Sequence, residues 1–155
     1  MKESRLAAAP RGAEKTMGDR AVDGLLAGVA AGLIMAVLLV AGSLLRGETL
    51  ATLFGRFAPG ETTSALSGFF AHMAVSAIYG LIFALLYGLL PWRWRQGVAA
   101  LLVGLVYGLL LLAVALSILL PGVDSPLLKL SRGILALGHA GYGLALGWLL
   151  QRMDS

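Results

Sequence analysis

Four windows without a formal charge constrain this chain more than any other feature. No Asp, Glu, Lys or Arg lies between Asp23 and Arg46, Glu61 and Arg93, Arg95 and Asp124, or Arg132 and Arg152, giving windows of 22, 31, 28 and 19 residues. Leu, Ala, Val, Ile and Gly fill most of them. About 20 apolar residues carry a helix across roughly 30 Å of hydrocarbon, so each window has the length for one crossing, or nearly so. The expected fold class is all-α: a bundle of four transmembrane helices at about 22–45, 65–90, 97–120 and 131–151. Residues 21–152 form its single domain. Residues 1–20, of mixed charge and with no apolar period, read as a flexible cytoplasmic tail. They do not read as a signal peptide, because the apolar stretch that follows is too long for one.

The spans take up most of the 155 residues, which leaves no room for a soluble catalytic domain. With 13% charged residues and mean hydropathy +0.87 the chain lies far from the globular average of about 25% charged. The absence of cysteine excludes disulfides, iron–sulfur clusters and thiol nucleophiles. A net charge of +4 does not imply nucleic acid, because the cations flank membrane segments. Lys2, Arg5, Arg11, Lys15, Arg20, Arg93, Arg95 and Arg152 fall on one side of the expected topology, and Arg46, Arg56, Lys129 and Arg132 on the other. The positive-inside rule then puts both termini in the cytoplasm.

Asp23 is expected near the N-terminal end of the first span, where the helix dipole favours a carboxylate. The outer loop after it carries Leu50, Leu53, Phe54 and Phe57 at i, i+3, i+4 and i+7, one apolar face of a short amphipathic helix that Pro59-Gly60 ends. That face reads as a lid over the bundle or as a docking surface for a partner subunit. The turn Pro91-Trp92-Arg93-Trp94-Arg95 is so short that spans two and three should pack as antiparallel neighbours, leaving spans two and four diagonal. Ser125-Pro126 is a helix-start signal.

Small residues fall in rows four apart: Gly24, Gly28 and Gly32 in span one; Ser76, Gly80, Ala84 and Gly88 in span two; Gly104 and Gly108 in span three; Gly143 and Gly147 in span four. Hydrophobicity does not drive helices together inside a bilayer. Small residues do so by letting backbones approach, and these rows therefore mark helix-packing faces. Whether span one spends its row within the chain or on a second copy is left open by the sequence. All four tyrosines stand in Tyr-Gly-Leu, and Ser76 to Leu81 aligns with His139 to Leu144, which points to two parallel helical-hairpin repeats.

His72 and His139 are the residues of chemical interest within the spans. Each lies about seven residues from the outer end of its helix, roughly 10 Å below the interface by helical rise. Two interior imidazoles at one depth are what bis-histidine ligation of haem b requires, with Arg132, two turns before His139, placed to meet propionates. The alternative is that each imidazole bonds a neighbouring helix as a packing contact, and no cofactor is the leading expectation. Two histidines without a carboxylate make a poor site for most metals. No span carries a charge at its centre, as proton relays and ion-coupled transporters require. All five prolines lie outside the span centres, against broken substrate-binding helices. No zinc motif or serine–lysine pair points to an enzyme.

Ala27-Gly28-Val29-Ala30-Ala31-Gly32-Leu33-Ile34-Met35 and His139-Ala140-Gly141-Tyr142-Gly143 resemble segments of a loose class of small uncharacterised four-helix bacterial inner-membrane proteins. The resemblance implies a multi-pass protein of the bacterial plasma membrane with two hairpin repeats, and supplies no activity. The function expected from all of this is non-enzymatic: an accessory or structural subunit of a larger membrane complex, with the lipid bilayer and other membrane subunits as partners. A b-type haem protein is the alternative, and a small transporter or channel the third.

Overall fold

The computed structural model describes residues 15–59 and 64–154. Among them there is no strand, and four helices are long and apolar enough to cross a membrane. They are α1 (Met17–Leu44), α3 (Ala65–Gly88), α4 (Gly97–Gly122) and α5 (Arg132–Met153), with the short α2 (Leu50–Gly55) between the first two. Residues 1–14 of the expected tail, and Gly60, lie outside the described residues.

Helix α1 begins earlier than the charge pattern implied. Thr16 accepts from the Asp19 backbone N–H at 3.1 Å, and the Asp19 carboxylate accepts from the Thr16 N–H at 2.9 Å. This reciprocal capping box satisfies two free donors and fixes the start at Met17. Residues 17–20 are thus helix rather than tail. Asp23, nearly two turns inside the helix, pairs instead with Lys15 at 2.5 Å.

The glycine rows do their work within the chain. A Cβ on Gly28 would lie 2.5 Å from the Ser76 carbonyl oxygen, and one on Gly24 would lie 2.6 Å from Ala84 Cβ and 2.8 Å from the Gly80 carbonyl. Gly32 faces the Ser76 side chain, and Gly80 meets the backbone of Gly24 and Gly28. These contacts lock α1 against α3. Gly104 and Gly143 meet each other's carbonyl oxygens, Gly108 meets that of His139, and Gly147 that of Ala100, which locks α4 against α5. Gly88 lies against the Arg20 side chain instead of a helix backbone. The two antiparallel pairs join through α1 and α5, where Leu38 and Leu39 pack over Gly141 and Gly138.

Around the bundle the order is therefore α3, α1, α5, α4. Spans two and four are diagonal, as expected. The short turn does not make α3 and α4 a close pair, because their backbones barely approach. Near mid-span Tyr107 donates to the Tyr79 carbonyl at 2.8 Å and its ring stacks on Phe83 at 4.7 Å. Neither helix carries a small-residue row turned to the other, since both rows are already spent.

The turn end is closed by ions. Asp154 pairs with Arg95 at 3.1 Å, Lys15 at 3.4 Å and Arg20 at 3.8 Å, while Tyr87 donates to the Arg95 carbonyl at 2.8 Å. This ties the start of α1, the Trp92–Arg95 turn and the end of α5 together. Trp92 and Trp94 stay exposed beside it, as interfacial tryptophans do.

Two local departures shape the α2 end. Helix α4 is not regular throughout: Ala115–Leu119 is a π-turn, with the Ser117 hydroxyl donating to the Ala113 carbonyl at 2.5 Å. Such insertions re-aim a helix face and recur at functional sites. After α4, Asp124 takes φ +46°, and Ser125 caps a single 3₁₀ turn at Pro126–Lys129 before α5 begins at Arg132.

Candidate functional site

A cavity of about 520 Å³ occupies the α2-end half of the bundle. Its walls are Ala71, Val75 and Tyr79 of α3, Leu111, Ala115 and Leu119 of α4, and Met35 of α1. Tyr142 and Ser76 lie on its floor, where the Tyr142 hydroxyl donates to the Ser76 carbonyl at 2.6 Å. That bond spans the α3–α5 diagonal and is one reason the cavity stops at mid-depth. The π-turn supplies Ala115 and Leu119, so the irregular stretch of α4 is also a cavity wall. Two of the lining residues, Val75 of α3 and Leu119 of α4, are about half exposed.

The roof is the outer loop. Thr49 caps α2, and Gly68 lets the α2 backbone at Phe54 sit directly on the first turn of α3. Of the four residues expected to present a docking face, Leu53 is fully buried, Phe54 packs edge-on against Phe69 at 5.3 Å, and Phe57 packs edge-on against His72 at 5.1 Å. Only Leu50 remains exposed. Leu53, Phe54 and Phe57 thus pack onto the chain itself, the arrangement of a lid, one of the two readings of this face. The physical reason is area: the open α2 end offers the amphipathic helix an apolar surface of its own chain to cover. Arg56 also lines the cavity, clamped in a two-pronged pair with Glu48 at 2.8 and 3.0 Å. The Arg56 hydrogen bonds hold the Glu48 carboxyl below the ordinary glutamate range.

Both histidines line this cavity. His72 Nε2 donates to the Gly32 carbonyl at 3.1 Å across the α1–α3 interface, which the missing Gly32 side chain makes reachable. His139 Nδ1 donates within its own helix to the Leu135 carbonyl at 2.8 Å. Arg132 is exposed at the start of α5 and does not line the cavity. Presenting Nε2 to an iron would cost His72 its bond to Gly32, and Arg132, the residue expected to meet propionates, lies outside the cavity lining. Among the described residues no group of three His, Asp or Glu side chains gathers to hold a metal.

The sequence reading found the two histidines and the small residues around them. It missed Arg56, the π-turn and the inward-facing tyrosines. A signal for the tyrosines was present: each stands directly before a glycine, and Gly80, Gly108 and Gly143 are all points of close helix approach. No family model, no curated protein and no solved structure matches this chain.

Proposed function

We propose that this chain is a non-enzymatic integral membrane protein that holds a small, lipid-dissolved molecule, as an accessory subunit to a larger complex of the bacterial inner membrane. The observation that carries the reading is the cavity of about 520 Å³ beneath α2, with the half-exposed Val75 and Leu119 among its lining residues. Binding sites for drug-sized ligands are apolar clefts of about 300–1,000 Å³ with a few placed polar groups, and the space between bundle helices is a usual place for them. Lining residues exposed towards the acyl chains suit a molecule that partitions into lipid. The eight-to-four division of cations supports cytoplasmic termini, and with them a cavity in the outer half of the bilayer. The two glycine-locked hairpins are consistent with a duplicated parallel half, one helix of each pair forming the α1–α5 seam.

The test is direct. Protein purified from its own membranes in mild detergent is extracted with organic solvent, and the extract is analysed by mass spectrometry alongside an Ala115→Phe variant that fills the cavity. The expected outcome is one small apolar molecule per chain, lost in the variant, together with comigration of the chain with larger subunits. Equal extracts from both proteins would refute the cavity as the working element.

A further inference from the structure

Among the described residues that line the cavity, Arg56 alone carries a permanent charge. Its guanidinium has five N–H donors, and the two-pronged pair with Glu48 uses one on each terminal nitrogen. Three remain, with no acceptor among the described residues. The side chain is only 16% exposed, and donors so far from bulk water call for a partner. Glu48 itself does not line the cavity. A second arginine, Arg46, also acts on the Glu48 carboxyl. Among the described residues two permanent cations thus share this one carboxylate, and one positive charge is left over.

Resting on the reading of the cavity as a site for a lipid-dissolved molecule, we propose that its occupant is a fatty-acid anion, a single apolar chain whose carboxylate head is held by Arg56. A planar carboxylate matches the guanidinium fork. The Ser125 hydroxyl accepts from the Leu127 N–H at 3.3 Å and keeps its own proton to donate into the cavity it lines. Arg56 and Ser125 both stand in connecting segments at the α2 end, whereas Val75, Leu111 and Ala115 are apolar wall positions of the spans. Most polar side chains that the spans contribute are bound to backbone carbonyls: His72 to Gly32, His139 to Leu135 and Tyr142 to Ser76. The Tyr79 hydroxyl adds a donor without a charge. A charged head at the loops and an apolar chain among the helices is the division this lining makes. One surplus positive charge fits a monoanion better than a phosphate dianion, and a volume of about 520 Å³ suits one chain rather than a two-chain phospholipid.

The full chain in phosphatidylcholine nanodiscs, in alkaline buffer, is titrated with dodecanoate, dodecanol and dodecyl phosphate. Each probe carries carbon-13 at its first carbon, and NMR resolves the bound from the bilayer pool. We expect one dodecanoate bound per chain, with dodecanol weaker by about tenfold or more and dodecyl phosphate no tighter than dodecanoate. Arg56→Gln should weaken dodecanoate by about tenfold or more. Glu48→Gln breaks the same clamp but should tighten dodecanoate by about threefold or more, because a competing carboxylate is gone. A residue that only holds the roof would give both variants the same loss, so the opposite signs separate head-group binding from clamping. Where circular dichroism shows Arg56→Gln unfolded, Glu48→Gln decides. Dodecanol bound as tightly as dodecanoate, tighter binding of dodecyl phosphate, or no tightening in Glu48→Gln overturns the proposal. A lipid without a carboxylate, recovered at one per chain from the native protein, overturns the fatty acid while the cavity reading stands. No extracted molecule together with no binding of any of the three probes defeats both.

Discussion

Gly28→Ala adds one carbon at the tightest part of the α1–α3 seam, and its cost follows from the geometry. The new Cβ would stand 2.5 Å from the Ser76 carbonyl oxygen and 3.0 Å from the Cα atoms of Ala77 and Gly80, where ordinary contact begins at 3.4 Å. All three obstacles are backbone, so no rotamer change relieves them and the helices must part by roughly 0.9 Å locally. A gap of 0.5–1 Å forfeits a quarter to a half of a well worth about 0.1–0.2 kcal/mol per atom pair, and roughly twenty pairs at such a crossing lose about 1–2 kcal/mol. That agrees with the 1–3 kcal/mol typical of overpacking. The unfolded reference in a membrane is still helical, so the usual helix gain of alanine over glycine does not offset it. Gly80→Ala collides with the same strand of contacts from the other side. Once the seam has opened for one substitution the second meets less resistance, so the double variant should cost clearly less than the sum. The assay is reversible unfolding in mixed micelles, titrated with denaturing detergent and followed by circular dichroism. Gly133→Ala is the control, since its nearest neighbour is Ser131 Oγ at 3.7 Å and no other helix is in reach. A Gly28→Ala protein as stable as Gly133→Ala, or strictly additive costs for Gly28 and Gly80, would refute the seam.

Four further outcomes follow. Leu53→Ala should destabilise the roof by about 2–5 kcal/mol, as for other buried leucines, and speed hydrogen exchange in α2, while the exposed Leu50→Ala does neither. Asp154→Asn removes the shared anion of Arg95, Lys15 and Arg20 and should lower thermal stability by the equivalent of about 1 kcal/mol, a difference that shrinks in high salt. Because Arg56 depresses the Glu48 carboxyl, the contribution of that pair is present above the ordinary glutamate pKa and is lost only as pH falls through the lower folded value; exchange protection in α2 should hold through the ordinary glutamate range and collapse below it, and Glu48→Gln should remove this dependence. A cysteine replacing Leu45 should be labelled by an impermeant maleimide from the periplasmic side of spheroplasts, and one replacing Trp94 should not.

The spans were legible because charge is costly in hydrocarbon and its absence over 19 or more residues leaves few alternatives. The glycine rows were legible for a similar reason, since a small residue every fourth position has one packing consequence. Which rows would meet was not legible. Gly28 carries no mark that selects Gly80 over a second chain, and only the three-dimensional arrangement of both hairpins leaves α3 and α4 apart. The π-turn left no trace either: Ala115–Leu119 is as apolar and helix-compatible as its surroundings. The helix start at Met17 was readable in Thr16-x-x-Asp19, a capping box with Asp in the usual place of Glu, and the charge pattern drew attention away from it. The inward facing of the histidines could be read from position alone. Their protonation could not, because it is set by carbonyls of Gly32 and Leu135 that lie at folded distances.

The Tyr107–Tyr79 bond has a consequence for traffic. It pins α3 to α4 at about mid-span, so the seam between them can part only on the side towards α2. On the proposed reading, a molecule entering between α3 and α4 would do so on the α2 side of this bond, in one monolayer. Exchange with the cavity would sample the composition of that single leaflet, and a lipid delivered to the opposite one would first have to flip.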